Sequence, residues 1–155
     1  MRITILSVTV ILLFSACNKD KYTTEPQISF KSISPNAFSS NSTSTQIAFA
    51  PKLTLVITDA NGDLGININD TSRVFIKNLL TNNIDSFDFP DLKNSTGRNF
   101  KAEVTINLFN TLDCRAPGPP RPRTDTTYYE VYVTDFEKNK SNFMITSEPV
   151  YYLCE

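Results

Sequence analysis

Histidine and tryptophan are absent from the 155-residue chain, and glycine is scarce, at four residues. Without an imidazole there is no Ser-His-Asp or Cys-His nucleophile, no HExxH zinc site and no histidine proton shuttle. The carboxylates that remain show no pair whose spacing implies a glycosidase acid and base. The chain is therefore expected not to be an enzyme. Charge of one sign is lacking as well: 15 Lys plus Arg stand against 16 Asp plus Glu, so there is no basic excess for nucleic-acid binding. A membrane-spanning run is also missing. The longest uncharged N-terminal stretch, Ile3 to Phe14, would cover roughly 18 Å as a helix, against a hydrocarbon core about 30 Å thick. That length suits the apolar region of a secretory signal instead.

The apolar run ends at Ser15, Ala16 and Cys17. Small residues directly before a cysteine resemble the lipobox of bacterial lipoproteins, with Phe14 where Leu is commoner. The resemblance implies a signal peptide over 1–16 and lipidation of Cys17, giving a membrane anchor through more than one acyl chain. Asn18, where Asp would resemble an inner-membrane retention signal, points to the outer membrane, periplasm-facing or at the cell surface. The charged residues 18–21 are similar to the surface-export tethers of Bacteroidota lipoproteins. Residues 17–26 then read as the lipidated cysteine and a polar, flexible tether, and 27–155 as one domain.

No helical period runs through that domain. Short β-type segments recur between Asn, Asp, Ser, Pro and Gly. In Leu53 to Thr58, Leu53, Leu55 and Ile57 share one face, and in Ala102 to Leu108 the face is Ala102, Val104, Ile106 and Leu108. Tyr129, Val131 and Val133 alternate within Tyr128 to Thr134, which should form a hairpin with Phe143 to Thr146. Further strands are expected at Ile28–Ile33, Ile47–Phe49, Val74–Leu80, Asp85–Phe89 and Val150–Leu153, and a mobile loop at Ser34–Gln46. The expected class is all-β, an antiparallel β-sandwich of about 7–9 strands.

The densest set of oxygen ligands lies just after the clearest strand. Asp59, Asn61, Asp63, Asn67 and Asp70 occupy positions 1, 3, 5, 9 and 12 of a loop that resembles the EF-hand or dockerin pattern, in which alternate oxygens surround calcium. Leu64 stands where that loop uses Gly, and position 12 is the shorter Asp. Asn61-Gly62 is equally a strong turn dipeptide, and Asp59 and Asp63 can accept local backbone hydrogen bonds without a metal. Both readings stay open: no cofactor, or calcium.

The segment Val131 to Thr146 resembles the terminal hairpin of bacterial immunoglobulin-like domains, matching at Asp135, Asn139, Ser141, Asn142 and Thr146, with Lys138 in place of the usual Gly. With the earlier DxNGDLG run, the chain looks like a small Bacteroidota lipoprotein carrying a single immunoglobulin-like domain, a group mostly of unknown function. That resemblance implies architecture and context, and it transfers no catalytic residue.

In an exported chain the pair Cys114 and Cys154 suggests a disulfide closing about 40 residues, which chain entropy values at roughly 3 to 4 kcal/mol. Between them, Pro117, Pro119, Pro120 and Pro122 favour extended geometry that protrudes or covers a sheet edge. Arg115, Arg121 and Arg123 are the most concentrated positive charge in the chain and are candidate contacts for an envelope protein or an acidic glycan. The expected role is a membrane-anchored, non-catalytic binding or structural module, with a calcium-stabilised adhesion or glycan-binding domain as the alternative.

Overall fold

The computed structural model describes residues 21–42, 44–66, 71–89 and 97–155. The signal segment, Cys17, Asn67 and Asp70 lie outside the described residues. The protein is all-β, as its alternating sequence requires. Its strands are β1 (Gln27–Ser34), β2 (Ala37–Ser39), β3 (Lys52–Asp59), β4 (Arg73–Asn78), β5 (Ile84–Asp88), β6 (Phe100–Asn107), β7 (Arg123–Thr127), β8 (Tyr129–Thr134), β9 (Met144–Ile145) and β10 (Val150–Cys154).

One sheet has the order β1-β3-β6, with β3 antiparallel to both neighbours. A second runs β5-β4-β8-β9, and a third runs β2-β10-β7, in which β2 is parallel to β10. Only Tyr128 separates β7 from β8. Val150 of β10 lies opposite Thr127, and Ile145 of β9 lies opposite Glu130. The second and third sheets therefore continue one another along a single long hairpin, interrupted at its middle.

The core lies between these layers. Leu53, Leu55 and Ile57 of β3 are wholly buried, as are Tyr129, Val131 and Val133 of β8, and they join Ile28, Ile76, Val104 and Val150 in one apolar cluster. The period-2 faces read in the sequence are thus the core faces. Burial of each such side chain contributes about 1.5–3 kcal/mol.

The polar residues of the terminal hairpin each satisfy a specific backbone group. Ser141 Oγ accepts from Val133 N at 3.0 Å, and Thr146 Oγ1 accepts from Tyr129 N at 3.2 Å. The Asn142 carboxamide brackets β1 across the edge of the sandwich, accepting from Ile28 N at 2.8 Å and donating to Ile28 O at 3.0 Å. Lys138 adopts φ +68°, so this turn keeps its left-handed residue even though a β-carbon is present.

Several expectations about individual segments need correction. Ten strands are present among the described residues, because β2 and β7 fall in stretches read as loops. Ser34–Gln46 is not simply a loop: β10 has an open edge whose backbone groups need partners, and this polar segment supplies them. Tyr151 N donates to Asn36 O and Ser40 N to Leu153 O, both at 2.8 Å. Ile47–Phe49 belongs to a 3-10 turn over Ser44–Phe49, with Phe49 70% exposed; short apolar content without a buried face does not make a strand. The end of the expected tether lies against the domain, where Ala60 N donates to Thr23 O at 2.8 Å.

Candidate functional site

Alternation carries two carboxylates inward. Asp59 is the next in-phase residue after Leu53, Leu55 and Ile57 on β3, and Asp135 comes after Tyr129, Val131 and Val133 on β8. Both are fully buried, and both strands end at the same end of the sandwich, where the backbone of Phe136 donates to Asp63 O at 3.1 Å. Three carboxyl groups, Asp59, Asp63 and Asp135, are thereby gathered where the β3–β4 connection meets the β8–β9 turn.

Their hydrogen bonding is uneven. Asp59 Oδ1 accepts from Asn61 N at 3.0 Å and Gly62 N at 3.2 Å, the local turn that the Asn-Gly dipeptide leads one to expect. Gly62 itself has φ +69°, and a β-carbon there would stand 2.4 Å from Gly97 O, so only glycine fits. Asp135 accepts from Asn139 N at 2.8 Å and Asn139 Nδ2 at 2.9 Å. In contrast, Asp59 Oδ2 and Asp63 Oδ2 are buried and have no hydrogen-bond partner among the described residues. The two groups face each other. Burial pushes both carboxyls up, and the neighbouring charges of Asp135 and Asp59 help raise Asp63 to about 7.

The Asn61 carboxamide completes the arrangement. It lies 3.1 Å from Thr24 O and 2.5 Å from Asp59 Oδ1. With its nitrogen toward them it donates to both, and with its oxygen toward them three oxygens converge without a hydrogen between. Ser72 closes the far side of the loop, accepting from Gly65 N at 3.2 Å and donating its own N–H to Gly65 O at 2.9 Å. Of the five residues read as a calcium-type loop, Asp59, Asn61 and Asp63 are brought together. Asp135 was not among them, although its place in phase with a buried face was visible in the sequence.

The arginine-proline segment is built differently from the expectation of three arginines offered to a partner. Arg123 is turned inward and paired in fork fashion with Asp125, Nε to Oδ1 at 2.9 Å and Nη2 to Oδ2 at 3.1 Å. Two further N–H groups donate to Pro119 O and Arg115 O, each at 2.5 Å. The guanidinium so close to Asp125 holds that carboxyl below its ordinary range. Gly118 permits the wrap, since a β-carbon there would meet Arg123 Nη2 at 2.6 Å. Arg123 is therefore a staple and not a partner contact. Arg121 donates to Glu155 O at 3.2 Å, and Arg115 and Arg121 remain exposed.

Cys114 and Cys154 are joined, with an S–S distance of 2.05 Å. They and Asp125 form the tightest grouping of potential metal-binding atoms among the described residues, but sulfurs bonded to each other leave no thiolate to ligate a metal. Compared with known proteins, the chain matches no family model and no curated protein sequence.

Proposed function

We propose that this protein is a cell-envelope lipoprotein, anchored through Cys17 in the outer membrane, that presents one immunoglobulin-like sandwich as a non-catalytic binding or structural module. The observation that carries the reading is the Cys114–Cys154 disulfide. Such bonds persist in oxidising compartments outside the cytosol, and the N-terminal apolar run ending at Cys17 provides the export route. The immunoglobulin-like assignment draws support from the layering: β1, β3 and β6 against β4, β7/β8 and β9/β10, with β5 beside β4, corresponds to an A-B-E layer facing a C-F-G layer with one added strand. The exposed Arg115 and Arg121 suit an acidic partner, an envelope protein or a glycan.

Metabolic labelling with palmitate tests the anchor. Label should enter the wild-type protein and be lost in Cys17→Ser; label retained by that variant would refute the assignment. A calcium-stabilised extracellular domain is the second reading, favoured by the carboxylate oxygens of Asp59 and Asp63 that have no hydrogen-bond partner among the described residues.

A further inference from the structure

The carboxylate end of the sandwich poses a balance problem. Asp59 is fully buried, keeps two backbone N–H groups on Oδ1 that favour its charged form, and lies beside Asp63, with the Oδ2 of each buried and without a hydrogen-bond partner among the described residues. An unmade hydrogen bond on a buried charged atom is costly. Two species can relieve it: a proton shared between the two oxygens, or a cation. A shared proton satisfies only that pair and has the Asn61 carboxamide turn its nitrogen toward Asp59 Oδ1 and Thr24 O, whereas its oxygen turned the same way would join theirs. A cation uses all of these oxygens together.

We propose that Asp59, Asn61 and Asp63 bind one hard divalent cation of the calcium type, with the Thr24 carbonyl as a further ligand, so that the bound ion clamps the N-terminal segment onto the sandwich. The donor set is oxygen only, from alternate residues of one loop and one main-chain carbonyl, which suits a hard cation with flexible coordination better than zinc or a strictly octahedral magnesium. Water completes the shell. Asp135 adds a third negative charge from the facing turn while spending its own oxygens on Asn139. Ala60 N already donates to Thr23 O at 2.8 Å, and Lys21 N to Asn99 Oδ1 at 2.5 Å, so residues 21–24 are in position to be fixed by the ion. The clamp does not depend on lipidation of Cys17.

The test is thermal unfolding of the full chain in detergent, in chelator and then with calcium chloride alone, together with calorimetric titration. Calcium at about 100 times its dissociation constant should raise the midpoint by about 10 °C and slow tryptic cleavage after Lys21. Asp63→Asn, nearly isosteric, should lose the calcium response while melting higher than wild type in chelator, because the repulsion is removed. Asn61→Asp should do the reverse, binding calcium several-fold more tightly and melting lower in chelator. No response of the wild type to millimolar calcium, with stabilisation on mild acidification instead, would overturn the proposal in favour of a shared proton. A calcium response that survives both Asp59→Asn and Asp63→Asn would place the ion elsewhere and overturn it too. Unchanged cleavage after Lys21 in the calcium-bound protein would refute the clamp.

Discussion

Replacing Arg123 with Ala should destabilise the protein by about 3 kcal/mol, a magnitude set by where its partners sit. The side chains of Arg123 and Asp125 are only 12% and 9% exposed, so solvent screens their attraction little. Removing one member of a buried pair strands the other, at about 3–5 kcal/mol. Two features place this case at the low end. Asp125 Oδ2 retains the Arg115 N–H at 2.8 Å, and Pro119 O and Arg115 O belong to exposed residues where water can replace the lost donors. In urea, with a slope of about 2 kcal/mol/M, the midpoint should fall by about 1.5 M. Arg123→Lys keeps the charge but not the fork, and should lose about half as much.

Acid sensitivity provides an independent arm. Asp125 is held below its ordinary 3.8, first by the Arg123 hydrogen bonds and then by the Arg115 N–H, against the opposing effect of burial. A carboxyl lowered in the folded state contributes stability that is complete above its unfolded value and is lost as pH falls through the folded one. Arg123→Ala should therefore cost most near neutral pH and progressively less below pH 3.8. A loss under about 0.5 kcal/mol at pH 7 with no such convergence would mean that the guanidinium is solvated, and would refute the staple.

Two further substitutions test local strain. Lys138→Gly should raise stability by about 0.5–1 kcal/mol in denaturant unfolding, because φ +68° penalises a β-carbon more than glycine's extra unfolded-state freedom costs; Lys138→Ala, which keeps the β-carbon, should show no gain, and an equal gain would assign the effect to the charge. Tyr129→Phe should leave stability unchanged or raise it by up to about 1 kcal/mol, since the Tyr129 hydroxyl, buried near Thr111, makes no well-formed hydrogen bond among the described residues while Thr111 Oγ1 donates to Leu108 O, and burial pushes the Tyr129 pKa up to about 12. A loss above about 1 kcal/mol would reveal a partner for that hydroxyl.

The parts of this fold that were legible in the sequence are those decided by local alternation. Leu53, Leu55 and Ile57, or Tyr129, Val131 and Val133, repeat with period 2 because one face of each strand is core. Where pairing is decided by the needs of a neighbouring strand, the signal disappears. Residues 37–39 are too few to show a period and become β2 because β10 offers an open edge. Arg123 looked like surface charge because its partner, Asp125, is only two residues away and sequence cannot show that both side chains turn inward.

The carboxylate site shows the boundary between the two cases. Alternation, carried one step past Ile57 and one step past Val133, puts Asp59 and Asp135 inside, and a charged residue continuing a buried face is a reason to look for its counter-charge. Alternation says nothing about where the two strand ends meet. That depends on the layers facing each other with the C-terminal ends of β3 and β8 together, a relation between residues 59 and 135 that no local period encodes. A calcium-type loop read only along the chain names residues of that loop alone, whereas the fold also brings groups to it from across the sandwich. Asp135 faces Asp63 from the terminal hairpin, and Thr24 reaches Asn61 from the N-terminal segment. If a cation binds here, its effect should thus be felt first in the attachment of residues 21–24, and not in the integrity of β3 or β8, whose cores are complete without it.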